Sequence, residues 1–264
     1  MQRVAYTLAV VVLLGTNAHA DLKLVQKTSM EGDLSKRVQG AGGPPTPPSV
    51  TMFYKGNKTR TEAGDRVTIF DGERILLLNP AKKTYQAIPK NAGADMASAN
   101  PMMAMMDIKA SVDVKATGKT QTIQGKQAKQ YVMTMTMKLG MKQGAGGGAS
   151  GESPQIPPFT TRTELWTAEF PGVTLSPSMA KQNMPGGMAS MPFVKDMTEK
   201  LKTIKGIPLL TTMNQEIMGK KMNISVKTVS LSEAPLPNSL FAPPAGYKQV
   251  PYTAPAMPMM PGGG

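Results

Sequence analysis

The strongest constraint in this sequence is a repeat of period two. Ile108-Lys109-Ala110-Ser111-Val112-Asp113-Val114-Lys115-Ala116 alternates apolar and polar residues without a break. Successive side chains of a strand point to opposite faces, so this pattern demands a strand with one dry and one wet side. Tyr131, Met133, Met135 and Met137 alternate with Val132, Thr134, Thr136 and Lys138, and Met222, Ile224 and Val226 with Asn223, Ser225 and Lys227. Shorter candidates are Leu22 to Met30, Val50 to Tyr54, Arg66 to Phe70, Arg74 to Leu78, Thr160 to Thr167 and Leu209 to Met218. Gly56-Asn57-Lys58, Gly125-Lys126, Gly219-Lys220 and the longer Asn79-Pro80-Ala81-Lys82-Lys83 supply turns, and Asp71-Gly72 reads as a two-residue hairpin turn. Sequential hairpins predict an antiparallel meander, and the fold class is mainly β.

Two segments break the rhythm. Ser190 to Ile204 reads as a helix, capped by Ser190, with Pro192 in its first turn and Gly206 after its end. Phe193, Val194, Met197, Leu201 and Ile204 form its apolar stripe. Ala94 to Met106 is dense in methionine and predicts a second, short helix interrupted at Pro101. Gly40 to Pro48, Gly140 to Pro158 and the tail after Val250 are rich in Pro and Gly and read as flexible inserts and a disordered end.

The first 20 residues read as a cleaved export signal. Arg3 precedes the apolar run Val4 to Gly15, and Ala18-His19-Ala20 is a small-x-small cleavage site that makes Asp21 the new N-terminus. The apolar run is shorter than the roughly 20 residues of a membrane span. No Cys is present to carry a lipid anchor. The expected product is a soluble periplasmic protein with a single β domain over residues 21–250.

Composition narrows the chemistry. The chain has no Cys, and its one His, His19, is in the signal. Residues 21 onward therefore hold neither Ser-His-Asp nor Cys-His machinery nor the usual zinc ligands. The 17 acidic residues form no recognisable paired motif. Gly144 to Gly148 lacks the Lys-Ser/Thr ending of a phosphate-binding loop. A non-enzymatic role is expected, with no cofactor and no metal site assigned. Net charge is +13, or +12 without Arg3. The basic groups are spread along the chain, and one Trp, six Tyr and six Phe offer little stacking surface, so nucleic acid is not expected. A solvated basic surface, an anionic membrane surface and an envelope protein remain as readings of this charge.

The run Tyr54-Lys55-Gly56-Asn57-Lys58-Thr59-Arg60-Thr61-Glu62 is followed by Thr68-Ile69-Phe70-Asp71-Gly72 and Leu78-Asn79-Pro80-Ala81-Lys82-Lys83-Thr84-Tyr85. The chain closes with Asn238-Ser239-Leu240-Phe241-Ala242-Pro243-Pro244-Ala245-Gly246-Tyr247. Together these resemble the LolA/LolB-like superfamily of periplasmic lipoprotein carriers, and within it an uncharacterised exported branch. The resemblance implies a curved antiparallel half-barrel, with one or two helices covering a concave face that shelters acyl chains. It also implies that Arg60 corresponds to a strand arginine that bonds to the closing helix. The Pro/Gly-rich inserts and the methionine load depart from the carriers.

Methionine is the residue that points to mechanism, with 23 in the chain. Its side chain is flexible and polarizable. It can pack a core, line a groove for apolar ligands of varied shape, or supply thioether sulfur to Cu(I). The expected function is binding or carriage of a lipid-like, apolar ligand. The candidate ligand-binding residues are Arg60, Tyr131, Met133, Met135, Met137, Trp166, Met197 and Leu201. The alternatives are a methionine-based Cu(I)-binding envelope protein and an interaction module of an envelope complex.

Overall fold

The computed structural model describes residues 21–32, 49–89, 106–141, 156–173, 192–217 and 220–253. They build twelve strands and one helix. The strands are β1 (Leu22–Gly32), β2 (Val50–Lys55), β3 (Lys58–Ala63), β4 (Arg66–Phe70), β5 (Ile75–Asn79), β6 (Thr84–Ile88), β7 (Met106–Ile123), β8 (Lys126–Met141), β9 (Ile156–Ala168), β10 (Ile207–Ile217), β11 (Lys220–Glu233) and β12 (Lys248–Gln249). The helix α1 (Pro192–Leu201) lies between β9 and β10, and a short 3-10 turn (Asn238–Phe241) between β11 and β12. All twelve strands belong to one open, curved sheet in the order β12-β6-β5-β4-β3-β2-β1-β11-β10-β9-β8-β7. The mainly β class expected from the alternation is the observed one.

The turns set this order. Gly56-Asn57 and Gly64-Asp65 close two-residue hairpins between Lys55 and Lys58 and between Ala63 and Arg66. Gln124 and Gly125 both take positive φ (49° and 74°), the pattern that matches strand twist in a two-residue hairpin. Asp71-Gly72 does not make such a turn. The Asp71 carboxylate instead accepts the Glu73 and Arg74 amides at 3.0 and 2.7 Å, which opens a four-residue loop between β4 and β5. The chain is not one meander either. It is two, β1 to β6 and β7 to β11, joined where β1 pairs with β11 along its whole length.

The predicted helix is shorter than its sequence pattern. It ends at Leu201 because Thr203 turns its hydroxyl onto the Lys200 carbonyl (2.6 Å), and the Thr203 and Ile204 amides take tight bonds to Lys200 and Leu201. Gly206 then takes φ 85°, and a Cβ there would sit 2.4 Å from the Ala168 carbonyl oxygen. Ser190 lies outside the described residues. So does the expected Ala94 to Met106 helix, apart from Met106, which opens β7.

Each half of the sheet buries a different face. Leu22, Leu24, Tyr54, Ala168, Phe170, Val173, Ile207 and Leu209 form one core. Phe53, Val67, Ile69, Leu76, Leu78 and Phe241 form the other. Phe53 and Tyr54 are adjacent in β2, so these cores lie on opposite sides of the sheet. The second core is closed by the chain after β11. Phe241 is buried in it, and Leu236, Leu240 and Tyr247 pack against it. Curvature shows at the β7–β8 hairpin. Its Gln124 side chain donates to the Thr228 carbonyl of β11 at 3.4 Å, and Lys126 pairs with Glu233, although β9 and β10 separate β8 from β11 in the sheet.

Asp21 ties the two ends of the domain together. Its carboxylate accepts Lys55 Nζ at 2.6 Å and the Leu236 amide at 2.7 Å, and its carbonyl accepts the Ala234 amide at 3.2 Å. Replacing Asp21 with Ala strands these donors in a part-buried site and should cost about 2 kcal/mol in urea unfolding. Tyr54 offers a pH test. Burial pushes its phenol far above the ordinary tyrosine range. The folded state thus keeps a proton that the unfolded chain releases above pH ~10, so this contribution to stability falls by about 1.4 kcal/mol per pH unit beyond that point. Tyr54→Phe has no such proton and should lose less stability than wild type when unfolding is compared on the two sides of that pH.

Candidate functional site

The register of β7 to β11 assembles one broad apolar face. On β8, Tyr131, Met133, Met135 and Met137 point the same way. Their β7 neighbours are Ala116, Val114, Val112 and Ala110. Their β9 neighbours are Leu165, Thr163, Thr161 and Phe159. Thr163 lies opposite Met213 of β10, Met213 opposite Ile224 of β11, and Ile224 opposite Met30 of β1. A row of apolar side chains, broken only by threonine, therefore crosses six strands. Tyr131 and Met137 are buried, and Met133, Met135, Met213, Ile224 and Met30 are half-buried. The reverse side of the same strands carries Lys109, Asp113, Lys115, Lys138, Arg162, Glu164 and Asn223.

Two threonines interrupt the apolar surface. Thr161 and Thr163 are 4% and 2% exposed, and neither hydroxyl has a hydrogen-bond partner among the described residues. An unpaired buried hydroxyl costs about 1–3 kcal/mol, so this pair is a standing demand for a polar group. Neither residue stands out in the sequence. Only the register places them between Met133 and Met135 on one side and Met213 and Gln215 on the other.

Helix α1 packs against β7, and Lys200 Nζ donates to the Val112 carbonyl. Met197 is buried and Leu201 half-buried. The turn after the helix is held to β8 and β9 through the backbone of one residue, Lys205. The Lys205 amide donates to the Tyr131 hydroxyl at 3.4 Å, and the Thr167 hydroxyl donates to the Lys205 carbonyl at 2.5 Å. Tyr131 thus both belongs to the face and holds the turn that follows α1.

Two predicted residues stand elsewhere. Arg60 pairs across the sheet with Phe53, and Phe53 with Lys23, which puts it on the side opposite Met133. There its guanidinium bonds to Glu62 at 2.6 Å and to the Leu240 carbonyl at 3.1 Å. Its role in this structure is to hold the C-terminal turn over the second core. Trp166 neighbours Gln130, not Tyr131, and is half-buried on the reverse side of β9. Of the predicted set, Tyr131, Met133, Met135 and Met137 come together, with Met197 and Leu201 on the helix beside them.

The same register bears on copper. The strands flanking β8 place Val114, Val112, Ala110, Thr163, Thr161 and Phe159 beside its three sulfurs, and none of these offers a thioether. Met213 is two strands from Met133, roughly 10 Å at ordinary strand spacing. Two clefts are lined by none of Met133, Met135 and Met137. One of about 370 Å³ is lined by Leu77, Leu78, Tyr85 and Val250 among others. The other, of about 280 Å³, lies by Lys126, Lys129, Thr167 and Glu169.

Tyr131→Phe combined with Thr167→Val removes both bonds to the Lys205 backbone. At about 1 kcal/mol per bond, amide exchange in α1 and its following turn should quicken roughly tenfold or more, with the β2–β5 amides unchanged.

No family model matches the sequence, and no curated protein matches it. Among solved structures, an uncharacterized conserved protein from Thermus thermophilus is similar at 11% identity, over 89% of this chain and 93% of that one, with a TM-score of 0.38. That likeness is too loose to carry an argument about function.

Proposed function

We propose that this chain is an exported, non-enzymatic binding or carrier protein for a lipid-like ligand, which lies on the methionine face of β7 to β11 beside α1. The observation that carries this reading is the apolar row from Val114 through Met133, Thr163, Met213 and Ile224 to Met30, half-buried and wide enough for an extended chain. Flexible methionines let such a surface fit acyl chains of different length and shape. The Thr161 and Thr163 hydroxyls supply the polar point at which a ligand carbonyl or carboxyl would be held. In this reading the sheet is the half-barrel of the LolA/LolB-like carriers, the methionine face is its concave side, and α1 is a helix that covers it. Arg60 does not hold that helix. The periplasm is the expected compartment, because the first 20 residues read as an export signal with a small-x-small cleavage site at Ala18-His19-Ala20.

A fluorescent fatty acid titrated into the purified protein tests the reading. Met197→Asp with Leu201→Asp puts two carboxylates against the apolar face, where an unpaired charge costs several kcal/mol, and should weaken the probe at least ~10-fold. Met133, Met135 and Met137 all changed to Leu preserve volume and apolar area, at less than about 1.5 kcal/mol each, and should leave probe affinity within about twofold. Unchanged binding in the first variant, with the fold intact, places the ligand elsewhere. Loss of the fatty acid in the second would show that sulfur itself matters, and a Cu(I) titration of wild type would then become decisive.

A further inference from the structure

The reverse side of the same strands carries a second arrangement that the ligand reading does not use. We infer that this face docks on an anionic lipid surface through Lys27, Lys227 and Trp166. Lys27 of β1 lies directly opposite Lys227 of β11, Lys227 opposite Leu210 of β10, and Leu210 opposite Trp166 of β9. The four side chains form one row across four adjacent strands. Both lysines are exposed, and neither has an acidic or hydrogen-bonding partner among the described residues.

Two like charges facing each other on neighbouring strands are destabilising. A negative group placed between them reverses the sign of that interaction. The carboxylates of this face lie off the row: Glu31 is four residues along β1 from Lys27, and Glu164 on β9 is engaged by Arg162 at 3.2 Å and by the Gln130 amide at 3.0 Å. The apolar half of the row fits lipid better than an acidic polypeptide. Trp166 and Leu210 are half-buried beside the lysines. Val229, bulged out of the β1–β11 ladder, is 38% exposed, the one large apolar side chain so open among the described residues. Lysine stems lie along apolar surface while their ammonium groups meet phosphate, and a tryptophan ring settles at the headgroup level. The methionine face lies on the opposite side of these strands, so a protein docked this way keeps that face clear of the membrane. The docking assignment stands on the lysine row and does not depend on what the methionine face binds.

Trp166 is the only tryptophan of the chain, so its emission reports on this face alone. The purified protein is mixed with vesicles of phosphatidylcholine, with or without phosphatidylglycerol. The expected result is co-sedimentation with the phosphatidylglycerol vesicles only, a blue shift of the emission, and loss of both at high salt. Each lysine near an anionic surface contributes about fivefold, so Lys27→Gln with Lys227→Gln should weaken partitioning about 25-fold. The double variant should unfold no earlier than wild type, because it relieves a repulsion. Lys82→Gln with Lys83→Gln removes the same charge from the β5–β6 turn and should leave partitioning nearly unchanged. Equal loss in that control reduces the effect to net charge and overturns the proposal. Partitioning without an emission shift places the contact on another face, and no preference for phosphatidylglycerol refutes it outright. Soluble polyglutamate that binds as tightly and shifts the emission as far would assign the face to an acidic polypeptide instead of lipid.

Discussion

The pairing of β1 with β11 is the contact on which the rest of the structure depends. Each half of the chain forms its own meander by local hairpins, and this ladder is the strand pairing that joins the two meanders into one sheet. It runs from Leu22 opposite Glu233 to Gly32 opposite Met222, so it brings together residues some two hundred positions apart. Such a contact forms late and slowly, because a long loop must close before any of its bonds are gained. The Asp21 carboxylate, holding Lys55 and the Leu236 amide, sits where that ladder ends and fastens it to β2 and to the C-terminal segment.

The ladder also decides which faces are buried. The β2–β5 side with Phe53, Ile69 and Leu76 is closed by the chain's own C-terminal turn, with Arg60 bonding to the Leu240 carbonyl. The β7–β11 side with the methionines is on the other face. Among the described residues, α1 packs against the edge strand β7, and its following turn is held at Tyr131 and Thr167. A turn tied through the backbone of Lys205 alone is easier to displace than a core packed by Phe241. That difference suits a closed core in one half and a more loosely fastened apolar face in the other.

A period of two gives the same six strands, β7 to β11 and β1, two unrelated surfaces. On one, methionine, valine and isoleucine leave two threonine hydroxyls unanswered. On the other, an unpaired lysine couple sits beside the single tryptophan. Each surface holds a feature that lowers stability in isolation, and such features are expected where a protein meets something else.

Much of this was legible in the sequence. The alternation of β7, β8 and β11 follows from residue order alone, because the side chains of one strand divide into two sets whatever surrounds them. The apolar stripe with Met197 and Leu201 likewise predicts α1, and the lack of Cys and of any His beyond His19 limits the chemistry before any fold is known. The sequence could not say which set of one strand shares a face with which set of the next. Tyr131 and Trp166 are both aromatic strand residues, yet they lie on opposite sides of the sheet. Arg60 could have faced either way. Thr161 and Thr163 became unusual only once Met133, Met135 and Met213 flanked them. Asp71 shows the same limit at a turn, where its carboxylate bonds replaced the expected hairpin. Relative phase between strands is set by register, and register by hydrogen bonds between residues far apart in the chain. That is why the composition of each face was readable from the sequence, while the pairing of faces was decided only by the folded sheet.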